Sequence, residues 1–349
     1  MHFPYILAMT KAKPWTKFEV DYIKKEYNSE PGRIHEIATA LGRTYDSIAT
    51  KANRLGIKGG ITRVRHLGVN PNEYEDLEEL WEAIQHVQKY AQKLDNEITN
   101  PVVDFSHLDH PILLWFLADA HVGAMNAEYD ALEKRVEYLA TVNHGYGVSV
   151  GDTTDNFLPS RIPQGMFKQI IPPSLQRQLI EHQFMKLKGK WLAVVEGNHE
   201  NRSADVDDFH FSSQLAKSLH CYNMGHGGLL TLKLGDQSYE IAMRHQFRMN
   251  STYNPTHAPM QMRRLNYPTA DIAIVAHNHQ AAITEVHEPT KNRVYIRPGS
   301  FKGPDDYSRS IGFIETPHCI PSVILFPEKR VMLPFLNLDA AVTTFESII

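Results

Sequence analysis

The segment Trp191-Leu192-Ala193-Val194-Val195-Glu196-Gly197-Asn198-His199-Glu200 joins an apolar run to a short polar motif. The run is rich in aromatic and β-branched residues, which favours a buried strand. The Gly-Asn-His-Glu motif then places an amide, an imidazole and a carboxylate in the loop after that strand. Such groups at a strand end predict that this loop belongs to a functional site.

Four further apolar runs, over residues 112–117, 148–150, 241–244 and 272–275, also end in Asp or His. The motifs that follow these runs are Asp119-Ala120-His121, Gly151-Asp152-Thr153-Thr154-Asp155, His245, and His277-Asn278-His279. In open α/β sheets, ligands gather at the carboxyl ends of the strands. We therefore expect five strand ends, far apart in sequence, to assemble one site.

The chemistry of these residues predicts a site for hard or borderline cations. Carboxylate, imidazole and amide donors suit Mn²⁺, Zn²⁺ or Fe, and none of the motifs contains a thiolate. If one aspartate were shared by two ions, the remaining donors would complete a two-metal centre. Two ions roughly 3.5–4 Å apart can hold both sides of a phosphoryl displacement and lower the pKa of a bridging water.

In this order, the five motifs closely resemble those of the calcineurin-like metallophosphoesterase superfamily. The resemblance covers residues 112–303 and includes Arg297-Pro298-Gly299-Ser300, which is similar to the family's closing turn. It implies an α/β fold of the metallophosphoesterase type: an αββα sandwich of two packed mixed sheets flanked by helices. It also implies hydrolysis of phosphoric esters by a metal-bridging hydroxide.

The resemblance further implies two divalent ions, with Mn²⁺ favoured and Zn²⁺ or Fe as alternatives. The ligands of the first ion would be Asp119, His121, Asp152 and His279. The second ion would share Asp152 and be held by Asn198, His245 and His277. His245 departs from the family pattern because Gln246 stands where a glycine commonly follows, so His226 and His257 are alternative ligands.

Two catalytic residues follow from the same resemblance. His199 matches the histidine that protonates the leaving oxygen or stabilises the equatorial charge. Asp155 matches the carboxylate that orients this histidine. Arg202, three residues after His199, could contact the substrate phosphate or be a surface residue.

The first 66 residues carry a net charge of +6 and predict a small three-helix domain. Thr16 and Glu19 have the spacing of a capping box, Gly42 suits a helix end, and Thr44 can cap a third helix. The segments from Trp15 to Gly56 resemble Myb/homeodomain-like helix-turn-helix units found in phage and bacterial DNA-associated proteins. The outward residues of the third helix, which would contact DNA, are Tyr45, Ser47, Lys51 and Arg54.

The alternative for this basic unit is a trihelical module that docks another protein. The excess of positive charge favours phosphate contacts, and we expect DNA or another nucleic acid as the partner.

The next segment, residues 67–109, carries a net charge of −8 and predicts one long helix. Its apolar residues alternate at spacings of three and four, which is a heptad pattern: Leu77, Leu80, Ile84, Val87, Ala91, Leu94 and Ile98. The pattern fits either a coiled-coil homodimer through residues 77–98 or packing on the catalytic body. The predicted domains are therefore 1–66, 67–109 and 110–349.

Composition also bears on membrane segments, signal peptides and cysteine chemistry. No apolar run reaches the roughly 18–20 residues of a membrane-spanning helix, and no signal peptide is expected. Cys221 and Cys319 are the only cysteines, so we expect no disulfide framework, no cysteine zinc site, and a reducing cytoplasmic setting.

The first hypothesis from the sequence is a two-metal phosphodiesterase or nuclease acting on DNA and encoded by a phage. The first alternative is a phosphomonoesterase, for phosphoprotein or nucleotide, that its N-terminal domain directs to DNA. The second alternative is a regulatory DNA-binding protein with an inactive metal site. A complete set of ligands argues against that last hypothesis.

Overall fold

The computed structural model describes residues 13–27, 33–57, 77–94, 98–159, 163–289, 291–304, 312 and 318–349. The chain divides into two compact units, Met1–Ala91 and Gln92–Ile349. The predicted domain boundary at residues 66 and 67 lies outside the described residues. The division into three domains therefore stays a prediction.

Three short helices form the N-terminal unit: α1 (Lys17–Glu26), α2 (Ile34–Leu41) and α3 (Tyr45–Arg54). The capping box predicted at Thr16 and Glu19 is present, and the Thr44 side chain caps α3. Gly42 ends α2 with a left-handed φ of 57°, a conformation that glycine adopts without steric cost. The predicted three-helix segment is confirmed.

The interior of the three-helix unit holds at least one residue from each helix, including Ile23, Ile37 and Ile48. Beside this core, Arg43 donates to both carboxylate oxygens of Glu19, at 3.0 Å each. Both side chains are 8% exposed. The bond from Arg43 lowers the pKa of Glu19 to about 2, so this pair is ionised across the neutral range.

A fourth helix, α4 (Leu77–Leu94), occupies the predicted connector. Its apolar residues Leu77, Ile84 and Val87 are 75%, 52% and 65% exposed. A helix is confirmed over Leu77–Leu94, whereas Ile98, the last residue of the heptad pattern, lies outside it. The homodimer, one of the two arrangements that the pattern fits, stays a prediction. The described helices include none that is long and apolar enough to cross a membrane.

The larger unit contains two six-stranded sheets, with strand orders β1-β6-β7-β8-β10-β9 and β12-β11-β2-β3-β4-β5. The strands are β1 (Val102–Phe105), β2 (Ile112–Leu117), β3 (Gly145–Ser149), β4 (Trp191–Val194), β5 (Tyr222–Asn223), β6 (Gly228–Leu234), β7 (Gln237–Arg244), β8 (Ile272–Val275), β9 (Ala282–His287), β10 (Asn292–Arg297), β11 (Ser322–Leu325) and β12 (Met332–Phe335). The helices are α5 (Tyr129–Thr141), α6 (Pro173–Met185), α7 (Asn201–Asp207), α8 (Phe211–Leu219), α9 (His257–Asn266) and α10 (Leu338–Glu346).

The burial of β2 shows how the layers stack. All six of its residues are buried, because both faces of this central strand are covered. Leu114 and Phe116 face an inner core shared with the other sheet, including Ile241 of β7. Trp115 faces an outer core made with α5, α6, α8 and α10. On the far side of the other sheet, α9 packs against β8.

Two mixed sheets between helical layers are the predicted αββα sandwich, and that prediction of the fold is confirmed. The strands β2, β3 and β4 are parallel neighbours, so their carboxyl ends lie on one edge of their sheet. In the other sheet β7 and β8 are likewise parallel neighbours. Parallel pairing is what allows polar residues from distant segments to meet.

Candidate metal centre

Each motif of the candidate site begins within a few residues of a strand end. Asp119 follows β2, Asp152 follows β3, Asn198 follows β4, His245 is the residue after β7, and His277 follows β8. The loops touch each other through main-chain bonds, since Asp119 N donates to the Gly151 carbonyl at 3.0 Å. The five strand ends therefore converge as the sequence predicts.

Five of the predicted metal ligands in these loops have a left-handed backbone although none is glycine. Their φ values are 53° for Asp119, 46° for His121, 49° for Asp152, 73° for His277 and 59° for His279. A side chain at such a φ costs on the order of 1–3 kcal/mol and persists only where the surrounding structure enforces it. Backbone strain concentrated at the predicted ligands indicates that their directions serve a function.

Glycine is required where the two loops around Asp152 approach each other. A Cβ on Gly197 would lie 2.2 Å from both the main-chain nitrogen and the Oδ1 of Asp152. No real side chain tolerates that distance. Gly197 therefore allows Asn198 and His199 to come close to Asp152.

The first cluster of donors consists of Asp119, His121 and His279. The Nε2 atoms of the two histidines lie 3.1 Å apart. The Oδ1 of Asp119 is 3.2 Å from His279 Nε2 and 3.8 Å from His121 Nε2. All three donors thus point toward one small volume.

The second cluster consists of Asp152, His245 and His277. His245 Nε2 lies 3.0 Å from Asp152 Oδ2 and 3.0 Å from the amide oxygen of Asn198. His245 Nδ1 donates to the Val150 carbonyl at 2.7 Å, which leaves Nε2 directed at the cluster. The second cluster therefore contains the donors that the sequence assigns to the second ion.

Asp152 stands between the two clusters. Its Oδ2 is 3.0 Å from His245 Nε2 and 3.9 Å from His121 Nε2, one histidine from each cluster. Its Oδ1 accepts from the main-chain nitrogen of His199 at 2.9 Å. This position fits the bridging role predicted for Asp152.

The donor set fits divalent cations. Two ligand atoms that are each about 2 Å from an ion lie roughly 3 Å apart, as the Nε2 atoms of His121 and His279 do. The fully buried Asp119 Oδ1 makes no hydrogen bond within the described residues, which is costly without a cation. We conclude that these residues form a site that fits divalent ions.

The charge states of the site follow from burial and from pairing. Burial opposes ionisation of Asp152, yet the attraction of His245 and His199 holds its pKa well below the usual range. Burial lowers the pKa of His121 and of His199 well below their usual value. His245 is the exception, because Asp152 outweighs burial and raises its pKa to about 10. The neutral imidazole that burial favours at His121 is the form that binds metal.

The pair predicted between Asp155 and His199 is present but differs in its atoms. His199 Nδ1 contacts the main-chain carbonyl of Asp155 at 2.7 Å, whereas the Asp155 carboxylate lies 3.7 Å away. That carboxylate instead lies 3.2 Å from His121 Nδ1 and accepts from Lys302 Nζ at 3.0 Å. The carbonyl and the side chain of Asp155 thus contact different histidines.

Glu200 has a structural role that the sequence analysis did not assign. Its fully buried carboxylate accepts from the main-chain nitrogens of Asp152, Thr154 and Gly197, at 3.0, 3.0 and 3.1 Å. It also accepts from the Thr153 hydroxyl at 2.8 Å. Glu200 therefore ties the loop after β4 to the loop after β3. In the sequence, only its place as the last residue of the Gly-Asn-His-Glu motif could have indicated this role.

Lys302 is a second residue that the sequence did not reveal. Its segment lies on the Asp119 loop, because the Ser300 hydroxyl and the Phe301 nitrogen both donate to the Asp119 carbonyl, at 2.9 and 3.0 Å. Lys302 then reaches Asp155 from a position 147 residues later in the chain. No local pattern marks a lysine that acts at such a distance.

The structure brings His245, and neither of its alternatives, into the donor clusters. His226 is exposed in the loop before β6, and His257 is the first residue of α9. The missing glycine after His245 thus leaves the position of the imidazole intact.

The residues predicted to contact DNA lie in the N-terminal unit. Tyr45 and Arg54 are exposed on α3, while Ser47 and Lys51 are half-buried. The Lys51 ammonium lies 5.6 Å from the centre of the Trp15 ring. All four residues lie on one helix, and their contact with DNA stays a prediction.

No protein-family model matches the sequence, and no curated protein matches it. Solved structures do match, among them Vps29 from Chaetomium thermophilum, with a TM-score of 0.34 and 12% identity over 64% of this chain and 96% of that one. Nuclease MPE from Pseudomonas putida matches with a TM-score of 0.30 and 13% identity, over 64% and 87% of the two chains.

A third match is the calcineurin-like phosphoesterase YfkN from Bacillus subtilis, with a TM-score of 0.31 and 10% identity, over 68% of this chain and 96% of that one. These matches are likenesses at low identity.

Proposed function

We propose that this protein is a two-metal-dependent phosphoester hydrolase. The observation that supports it most directly is the Asp152 carboxylate, which lies between two clusters of buried His and Asp donors. Asp119, His121, Asp152 and His279 would hold one ion, and Asp152, Asn198, His245 and His277 the other. Two such ions would supply Lewis-acid activation of water and of the phosphoryl group.

The chain's own residues position the proton transfer. His199 Nδ1–H donates to the Asp155 carbonyl, which fixes the ring and leaves Nε2 on the side of Asp152, 3.8 Å from Oδ2. In its imidazolium form His199 also carries a proton at Nε2, and this is the proton that would pass to the leaving oxygen. The edge of the Phe157 ring packs against His199, with ring centres 5.5 Å apart, and limits the ring's movement.

We infer further that the substrate is a phosphodiester of DNA. The basic three-helix unit supports this, because a nucleic-acid-binding unit on the same chain raises the local concentration of that substrate. The alternative remains a phosphomonoesterase for phosphoprotein or nucleotide. Mn²⁺ is the proposed metal, and the donor set equally accommodates Zn²⁺ or Fe.

Hydrolysis of model esters separates these possibilities. We expect the protein loaded with Mn²⁺ to cleave bis(p-nitrophenyl) phosphate faster than p-nitrophenyl phosphate, and to cleave single- or double-stranded DNA. Turnover should vanish with EDTA and return with metal, because activation of the attacking water depends on the ions. Metal content is measured alongside by elemental analysis.

Hydrolysis of the monoester alone would overturn the nuclease proposal and leave the phosphomonoesterase. Absence of turnover with any ester at full metal loading would overturn both.

The role of the N-terminal unit has its own test in the full chain. The double variant Lys51→Gln, Arg54→Gln should bind duplex DNA more weakly, because two phosphate contacts are lost. The slope of log affinity against log salt should fall by roughly 2, at about 0.9 per contact. Binding is measured by fluorescence anisotropy between about 50 and 300 mM salt, a range wide enough to define the slope.

The control is Lys24→Gln, Lys25→Gln on α1, which removes the same charge from another helix. Equal losses in both variants would indicate general electrostatic attraction. No loss in the α3 variant would show that this unit docks protein instead.

A further inference from the structure

Arg202 is a buried cation with no direct ion-pair partner among the described residues. The residue is 9% exposed, and no carboxylate of the described residues lies within ion-pair distance of its guanidinium. One face of the guanidinium covers the Phe157 ring, with Cζ 4.3 Å from the ring centre. Buried charges in proteins are normally paired, so an arginine with no ion-pair partner in the described part of the chain is suited to bind an anion.

Most of the hydrogen-bonding capacity of Arg202 is unused. Nη1 donates to the Asp155 carbonyl at 2.8 Å and lies 3.0 Å from His199 Nδ1. Within the part of the chain that the structure describes, Nε and Nη2 have no acceptor. A guanidinium that is fixed by one nitrogen and by an aromatic face can offer the others to a planar pair of acceptor oxygens.

Lys302 adds a second positive charge beside Arg202. Its Nζ lies 5.7 Å from the centre of the same Phe157 ring and 3.0 Å from the Asp155 carboxylate. The Asp155 carboxylate therefore balances the positive charge of Lys302. The main-chain carbonyl of Asp155 is the group that accepts the hydrogen bond from Arg202. Within the described residues, the Arg202 guanidinium therefore makes no direct ion pair.

The His199 ring lies between Arg202 and Asp152. Nδ1 of the ring faces Arg202, and Nε2 faces Asp152. An anion on Arg202 is therefore a different group from a phosphoryl group at the metal centre. Because His199 would protonate the leaving oxygen, an anion on Arg202 would belong to the leaving part of the substrate.

We propose that Arg202 is a binding site for a second phosphate, the one next to the scissile phosphodiester on the leaving part of a nucleic-acid strand. This deepens the proposed function and rests on it for the identity of the substrate. A strand carries phosphates on either side of each nucleoside, whereas a simple phosphomonoester has no second one. Arg202 would thus select a polynucleotide over an isolated ester.

Binding tests the proposal without catalysis. Thymidine 3′,5′-bisphosphate should bind the Mn²⁺-loaded protein about tenfold more tightly than thymidine 5′-phosphate or 3′-phosphate, as measured by calorimetry. A charge-assisted hydrogen bond of ordinary strength accounts for a factor of that size. In Arg202→Met the two kinds of ligand should bind alike, and Arg202→Lys should recover part of the preference.

Kinetics supply the second readout. Thymidine dinucleotides without a terminal phosphate, with a 5′-phosphate and with a 3′-phosphate are compared by kcat/KM within each variant. One terminal phosphate should raise kcat/KM about tenfold in the wild type and not in Arg202→Met. Ratios within one variant cancel any general loss of activity. The control is Arg135→Met, which removes an arginine paired with Asp339 on the surface.

Equal affinity of the wild type for bisphosphate and monophosphates would overturn the proposal, as would a preference that survives in Arg202→Met. Failure of the proposed function is distinguishable from these results. If no dinucleotide is cleaved but the bisphosphate preference depends on Arg202, the phosphate site stands and the hydrolase does not.

Discussion

Replacing Asp152 with asparagine should reduce turnover by about 10³-fold or more, because the two ions share this carboxylate. Metal catalysis contributes several kcal/mol to the transition state, and each 1.36 kcal/mol is a factor of about ten. The amide of the Asp152→Asn variant would keep one oxygen donor but lose the negative charge that lies between His245 and His121. We expect the content of Mn²⁺ to fall below two equivalents, as measured by elemental analysis after desalting.

The matched control is Asp208→Asn, since the Asp208 side chain is 99% exposed and outside the donor clusters. It should retain both metal and turnover. Full metal content together with wild-type turnover in Asp152→Asn would contradict the assignment of a bridging ligand.

Replacing His199 with alanine should lower kcat by roughly 10²–10⁴-fold while the metal content stays at the wild-type level. The physical reason is that Nε2 lies beside Asp152 at 3.8 Å, while Nδ1 is held by the Asp155 carbonyl. The ring is placed to move a proton at the leaving oxygen, and the other histidines of the clusters keep the ions. Turnover of the diester and elemental analysis are measured on the same sample.

His210→Ala is the control for this second variant. His210 is a half-exposed histidine near the same loop, in contact with Glu196 rather than with the donor clusters. It should leave kcat unchanged. If His199→Ala instead loses metal, then His199 is a ligand, and its assignment as the proton donor is wrong.

Together the two variants separate the two parts of the centre. Asp152 acts on the ions and should change metal content and turnover in parallel. His199 acts on the leaving group and should change turnover alone. Arg202 lies on the other side of the His199 ring from Asp152. Its substitution should change neither the metal content nor the identity of the product. It should change only the preference for a substrate with a neighbouring phosphate.

Much of the fold could be predicted because it follows from local patterns. The apolar runs at 112–117, 191–195 and 272–275 form buried strands at or within one residue of the expected bounds. Buried strands need continuous apolar sequence when helices cover both faces of a sheet. The helix ends at Thr16 and Gly42 were equally readable, since capping depends on neighbouring residues alone.

The contacts within the site were less predictable. The sequence paired the Asp155 carboxylate with His199, whereas the structure gives that histidine the Asp155 carbonyl and gives the carboxylate to His121 and Lys302. Left-handed turns decide which atom of a residue faces which neighbour. Their presence at non-glycine positions has no signature in a single sequence, because it depends on the surrounding structure.

The sequence by itself determined the donors and the strand ends that carry them. Asp119, Asp152, Asn198, His245 and His277 could be named because apolar runs end beside them, and strand formation is a local property. The tertiary structure alone decided that Glu200 ties two loops together, that Lys302 neutralises Asp155, and that Arg202 has no counter-ion among the described residues. These facts depend on distances between segments that are remote in the chain, and only packing of the two sheets sets those distances.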